Sequence, residues 1–384
     1  MTAGVTGWDV GGVNTKIARV EGGVVRDLRS LPFEIQRAPH ELRPLIERFA
    51  ERPAERPAER PAREVGSELR CRHAVTMTAE LSQYFRTKRE GVDFVLDAFH
   101  DALADADIQV YGTDGVFRPL AEARRVPLHC AASNWTATAA LVALEWPDAV
   151  LIDVGTTTTD IIPIHAGRVA AEGRTDPDRL RTGELLYLGA LRTPVEAIVH
   201  EVPLGRSLAG VSAESFALAG DVYLWLGELA GDDYSVPTPD GRPATRAGAR
   251  DRLARVVCAD GEMLDDAAID AIARHVAQLQ VERTARALER LIIQYPSIST
   301  VVTAGLGSFI ARSAARLLRS RSLELVELAP AFTPAAAVAL LLEGGDPVIP
   351  LKTEPAPRQP SARCGDAELT GERAGATLER RCKS

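Results

Sequence analysis

A chain of 384 residues has room for two domains at about 150 residues each, so a single small module is excluded. Its net charge of −8 argues against a general nucleic-acid binder, which at this size would be basic. With 46% hydrophobic residues the chain can fill a core, yet its longest strongly apolar stretches fall short of the roughly 18 residues of a spanning helix, and no membrane partner is expected.

The opening MTAGVTGWDVGG has no basic region followed by a continuous apolar segment, and a cytoplasmic location is the expectation. Residues 51 to 62 repeat ERPA three times, and a proline every fourth residue forbids a continuous helix, which marks a surface insertion. The adjacent His129 and Cys130 are expected to pack at a strand end rather than bind metal. The cysteines at 71, 130, 258, 364 and 382 form no CxxC pair, so neither a disulfide framework nor a zinc site is expected. AVLIDV (149 to 154) predicts a buried strand. The longest predicted helix covers about 265 to 294, with Ile269, Ile272, Val276 and Leu279 on one face. STVVTAG (299 to 305) predicts another strand before the helical spacing of GSFIARSAARLL, and LELVEL (323 to 328) alternates like a half-covered strand. Thr333 and Pro334 then supply an N-cap and a first-turn proline for AAAVALLLEG. From Thr353 onward the chain is rich in Pro, Gly and charge without apolar periodicity, and disorder is expected there.

Alternating strands and helices favour an α/β fold. The expected division is 1–145 with the insertion at 51–62, 146–352 with a helical insertion at about 180–295, and a 353–384 tail.

The most informative feature is an internal echo. Asp9-Val10-Gly11-Gly12-Val13-Asn14-Thr15-Lys16 resembles Asp153-Val154-Gly155-Thr156-Thr157-Thr158-Thr159-Asp160 at an offset of 144 residues. Apolar segments flank each copy, so each reads as a strand, a tight turn and a strand. Glycine allows close backbone approach, and exposed amides with Asn or Thr side chains donate hydrogen bonds to phosphate oxygens. A carboxylate beside a phosphate is repulsive unless a cation lies between them, and Mg²⁺ is the usual one. Asp9 and Asp153 are therefore the expected metal positions. No Walker-type GxxxxGK[ST] occurs, and the third glycine of a dinucleotide GxGxxG would fall at Ile310, so Gly305 and Gly307 fit better as a third loop at the same cleft.

Two phosphate loops and a late glycine loop, near positions 10, 155 and 305, resemble the actin, sugar-kinase and Hsp70 superfamily. Within it, DVGGVNTK, VTMTAEL (75 to 81), AASNW (131 to 135) and DVGTTTTD resemble the hydantoinase A and oxoprolinase family, from Thr6 to about Gly345. NTKIARV, TKREGV (87 to 92), TGELLYLGALRTPVEA and DGRPATRAGARDRLARVVCAD are similar to the branch linked to one-carbon transfer on tetrahydromethanopterin and to methanofuran synthesis. The resemblance implies a two-domain actin-like fold with an interdomain phosphate cleft. It also implies an enzyme that joins aminomethylfuran-methyl diphosphate to γ-glutamyltyramine through an ether bond and releases diphosphate.

Under that reading Asp9 and Asp153 position Mg²⁺ and its waters. Gly11, Gly12, Asn14, Thr15, Lys16, Gly155, Thr156, Thr157 and Thr158 bind the diphosphate, with Gly305 and Gly307 closing the cleft. Asp160 serves either as a base for the phenol or as an orienting carboxylate. Segment 182–196 could gate the cleft, although Leu185, Leu186, Leu188 and Leu191 could equally pack domains together. Arg242, Arg246 and Arg250 could meet an anionic group or form a solvated helix face, and Trp135, Trp225 and Tyr223 could stack on a ring or fill a core. Rival readings are a kinase or hydantoin/oxoproline hydrolase that consumes ATP, and a non-catalytic nucleotide sensor. The partners expected are small molecules, and a homo-oligomer stays open.

Overall fold

In the computed structural model, residues 4–50, 72–318, 322–330 and 332–344 are described. The ERPA repeat, Cys71 and the expected tail with Cys364 and Cys382 lie outside the described residues, and all described elements belong to one unit.

Three antiparallel strands open the chain: β1 (Val5–Val10), β2 (Asn14–Glu21) and β3 (Val24–Pro32). Next come β4 (Arg72–Met77), parallel to β1, then β5 (Asp107–Tyr111), parallel to β4, and the short antiparallel edge β6 (Phe117–Pro119). The resulting order is β3-β2-β1-β4-β5-β6.

The second sheet repeats this plan. β7 (Ala149–Val154) and β8 (Thr159–His165) form a hairpin extended by β9 (Arg168–Val169) and β10 (Leu185–Leu186). After a separate hairpin of β11 (Glu201–Leu204) and β12 (Ser207–Gly210), β13 (Thr300–Ala304) lies parallel to β7, and β14 (Glu324–Glu327) lies parallel to β13. The strand predicted at 149 to 154 is almost wholly buried, as a central strand covered on both faces requires.

Helices cover both sheets in matching places. Lys88–Ala102 connects β4 to β5, and Ser308–Leu317 connects β13 to β14. The helix Asn134–Glu145 packs against β7, β8 and β9, while Pro334–Glu343 packs against β1, β2 and β4, and the two helices touch each other. Each sheet is thus roofed by a helix that follows the other sheet's parallel strands. Thr333 caps the last helix as its sequence predicts, accepting from the Ala336 N–H at 3.3 Å, with Pro334 in the first turn.

The long helix forms over Asp266–Gln294. Ile269, Ile272 and Val276 are buried, but Leu279 is only partly so, and the buried face runs on through Gln280 and Thr284. His129 and Cys130 lie in a helical turn, Pro127–Cys130, rather than at a strand end, with His129 exposed. The three arginines do not share a face. The helix starts at Arg246, capped by Thr245, which leaves Arg242 outside it. Arg246 stacks 3.7 Å from the Trp225 ring, and Arg250 pairs with Asp266 at 2.7 Å.

Candidate active site

Both predicted turns close in the same way. In the first, Asp9 is paired across the ladder with Lys16 and Val10 with Thr15, and the Gly11 N–H donates to the Asn14 carbonyl at 3.0 Å. In the second, Asp153 is paired with Asp160 and Val154 with Thr159, and the Gly155 N–H donates to the Thr158 carbonyl at 2.9 Å. The equivalence extends to the neighbouring parallel strand. After β4 the Thr78 N–H donates to Val10 O, and after β13 the Gly307 N–H donates to Val154 O, each at 2.9 Å. Gly11, Gly12, Asn14, Gly155 and Thr156 to Thr158 keep partial exposure, while Thr15 is buried with its hydroxyl unpartnered among the described residues.

The charged residues meet although they come from two sheets. Asp9 is buried, its Oδ1 has no hydrogen-bond partner among the described residues, and its Oδ2 lies 3.9 Å from Lys16 Nζ. Burial pushes the Asp9 carboxyl up, and Lys16 opposes that shift. Asp153 is pushed up to about 6, by burial first and then by the Asp160 charge, with a smaller push from Asp9 and an opposing pull from Lys16. Asp9, Lys16, Asp153 and Asp160 therefore share one electrostatic neighbourhood. Asp160 differs from the other two aspartates, because Arg179 Nη2 donates to it at 2.7 Å. Burial raises its carboxyl and Arg179 opposes the shift. Arg179 is itself 1% exposed and lies 4.0 Å from the centre of the Trp135 ring, so Trp135 carries a guanidinium on its face.

The third loop touches the second turn directly. Gly305 has φ +83°, and a Cβ there would overlap Asp153 Oδ1 and the Val154 carbonyl. Segment 182–196 braces the turn through its backbone. Ala190 N–H donates to Gly155 O at 2.9 Å, Leu191 and Arg192 donate to Thr156 O, and Thr159 Oγ1 donates to Leu188 O at 2.6 Å. Gly189 lies so close to Thr156 and Thr157 that a Cβ would clash with their backbone. Its N–H donates to Thr193 Oγ1, and its carbonyl accepts from Gln280 Nε2 at 3.0 Å, whose Oε1 accepts from Tyr223 OH at 3.0 Å. Leu185, Leu188 and Leu191 are buried, Leu186 partly so, and Tyr223 and Trp225 belong to the core. Sequence reasoning missed Arg179, Gly189, Thr193 and Gln280. A signal existed for Gln280 alone, as a polar residue four positions beyond Val276 on an apolar helix face.

The hydantoinase/oxoprolinase family model matches residues 72–342, more than half of the chain. The chain belongs to the hydantoinase/oxoprolinase family. The matched residues begin at Arg72, after the first turn, and include the second turn and the late glycine loop. A (4-{4-[2-(γ-L-glutamylamino)ethyl]phenoxymethyl}furan-2-yl)methanamine synthase of Methanocaldococcus jannaschii is 33% identical over 345 residues, covering 88% of this chain and 97% of that one. A protein of the same name from Methanococcus vannielii is 33% identical over 203 residues, covering 50% of this chain and 90% of that one. Among solved structures, a nucleotide-free acetone carboxylase aligns with TM-score 0.50 at 12% identity, covering 88% of this chain and 70% of that one. The family member described here has an α/β fold of two like mixed sheets, as the resemblance implies, and shares that fold with the acetone carboxylase. No helix among its described residues is long and apolar enough to cross a membrane.

Proposed function

We propose that this family member is a transferase in methanofuran-type cofactor synthesis, linked to one-carbon metabolism. It joins the furfuryl carbon of aminomethylfuran-methyl diphosphate to the phenol oxygen of γ-glutamyltyramine and releases diphosphate. The observation that carries the reading is the 33% identity spanning 97% of a synthase of that name. The converging aspartates and Lys16 support it.

The site suits Mg²⁺. Asp9 keeps a buried oxygen without a partner among the described residues, and the Asp9 charge adds to the cost of ionising the buried Asp153, a cost that a cation between them would relieve. Asp9 and Asp153 would hold the ion, which when bound supplies positive charge against the diphosphate oxygens. The backbone amides of Gly12 and of Thr156 to Thr158 orient those oxygens, and Lys16 stabilises the charge that builds on the leaving group. Asp160, tied to Arg179, orients the threonine turn.

The test is to incubate protein, Mg²⁺ and both substrates, following diphosphate release and product mass beside a parallel ATP-hydrolysis assay. Coupled product without ATP loss is expected. Substrate-dependent ATP loss without coupling would overturn the reading in favour of a kinase or hydrolase.

A further inference from the structure

The loop after β4 buries a carboxylate. Thr78 leaves the sheet beside the first turn through its bond to Val10, and Glu80 follows two residues later, at the carboxyl end of a central parallel strand. The Glu80 side chain is fully buried, and neither of its oxygens has a hydrogen-bond partner among the described residues. Such a group costs stability, so its presence calls for another explanation. Its neighbours come from both halves. Lys88 Nζ, on the helix Lys88–Ala102, lies 3.7 Å from Glu80 Oε1 and 2.6 Å from Oδ2 of Asp176, on the helix Asp176–Thr182. Asp176 also acts on Asp160, so a line of charges runs from the second turn through Asp176 and Lys88 to Glu80. Burial pushes the Glu80 carboxyl up to about 7, Lys88 opposes that shift and Asp176 adds to it. The same loop leaves Leu81 and Tyr84 about half exposed, which offers apolar surface to a ring.

We propose that Glu80 is the base that takes the phenol proton of the acceptor, a deepening that rests on the transferase reading above. The acceptor displaces the Lys88 ammonium from beside the carboxylate and reaches Glu80. The phenol O–H bond breaks and its proton passes to a Glu80 oxygen. The phenol oxygen uses its electron pair to bond the furfuryl carbon, whose bond to the diphosphate oxygen breaks with that electron pair leaving on diphosphate. Glu80 then returns the proton to water. Asp160 is hydrogen-bonded to Arg179 at 2.7 Å, whereas the Glu80 carboxylate has the Lys88 ammonium beside it at the longer distance of 3.7 Å.

The test compares wild type, Glu80→Gln and Glu80→Asp on γ-glutamyltyramine and on a ring-fluorinated analogue whose phenol is already ionised at neutral pH. Glu80→Gln should lower kcat on the natural acceptor by about 100-fold or more with little change in KM. On the fluorinated acceptor the loss should shrink to a few-fold, and Glu80→Asp should fall between. An equal loss on both acceptors, or no loss, overturns the assignment. Should the variants fail to fold, wild type alone decides: kcat/KM should rise through about pH 7 with the natural acceptor and lose that limb with the fluorinated one. An unchanged limb refutes the base. Failure of wild type to couple either acceptor overturns the transferase reading and the role of Glu80 with it, while wild-type coupling with an undiminished Glu80→Gln overturns the role of Glu80 only.

Discussion

Replacing Gly305 with Ala tests whether the late glycine loop fixes Asp153. The residue sits at φ +83°, where an L side chain costs about 1–2 kcal/mol. The added methyl would also overlap Asp153 Oδ1 and the Val154 carbonyl, and would lie 2.8 Å from the Val154 carbonyl carbon. Overpacking against backbone costs a further 1–3 kcal/mol or so. The sum, about 2–5 kcal/mol, should lower the melting midpoint by roughly 3–7 °C for a unit of this size. Because the backbone of β7 yields less readily than a side chain, relief comes from displacing the Asp153 carboxylate, and Mg²⁺-dependent diphosphate binding should weaken with it. Gly12→Ala is the matched control for stability. A Cβ there meets nothing within 4 Å, and its melting should stay within about 0.5 kcal/mol of wild type. Circular-dichroism melts and calorimetric titration with diphosphate read both effects. A Gly305→Ala protein that melts with wild type and binds diphosphate equally well would refute the reasoning.

Lys16→Met should reduce kcat for diphosphate release about 100-fold, and unchanged turnover would remove Lys16 from the site. Arg179→Met strands Asp160 without its partner and should cost about 3–5 kcal/mol in urea unfolding, most of it recovered when Asp160→Asn is added; a stable single variant contradicts the pairing. Stability should also depend on pH through two buried groups of opposite sign. His73 is held down to about 4, chiefly by burial, so its contribution is present above the unfolded value of 6.5 and is lost as pH falls toward 4. Glu80, raised from 4.5 to about 7, contributes most below pH 4.5, and that contribution is lost as pH rises through 7. The slopes oppose each other between pH 4.5 and 6.5, so Glu80→Gln should make acid destabilisation steeper by about 2–3 kcal/mol across that window, and parallel urea curves for the two proteins would contradict it.

What was legible in the sequence was local. Asp-Val-Gly between apolar segments specifies a strand and a tight turn from neighbouring residues alone, which is why both hairpins could be placed, while their registers came from the structure. Thr333 and Pro334 announce a helix start for the same reason. What stayed hidden depends on contacts between distant residues: Lys88 meets Asp176 across 88 positions, and Gln280 meets Gly189 across 91. No periodicity marks such pairs. Arg242, Arg246 and Arg250 misled because a spacing of four places residues on one face only inside a helix, and this helix begins at its Thr245 cap.

The two turns are alike in backbone and unlike in charge, and the difference lies at one register position. Opposite Asp9 stands Lys16, whereas opposite Asp153 stands Asp160. The first hairpin therefore brings its own cation to the cleft, and that cation also acts on Asp153. The second hairpin adds a further acid, which would leave three carboxylates around one lysine without another source of positive charge. Arg179 is that source. It reaches Asp160 from the segment that follows the second hairpin, and it rests on Trp135 from the helix that roofs the second sheet. The second turn is in addition braced by residues 188–193 and, through Gln280, by the long helix. Substitutions in segment 179–294 should thus act on the threonine turn and Asp160, and reach Asp9 and Lys16 only through the Asp153 charge on which both act.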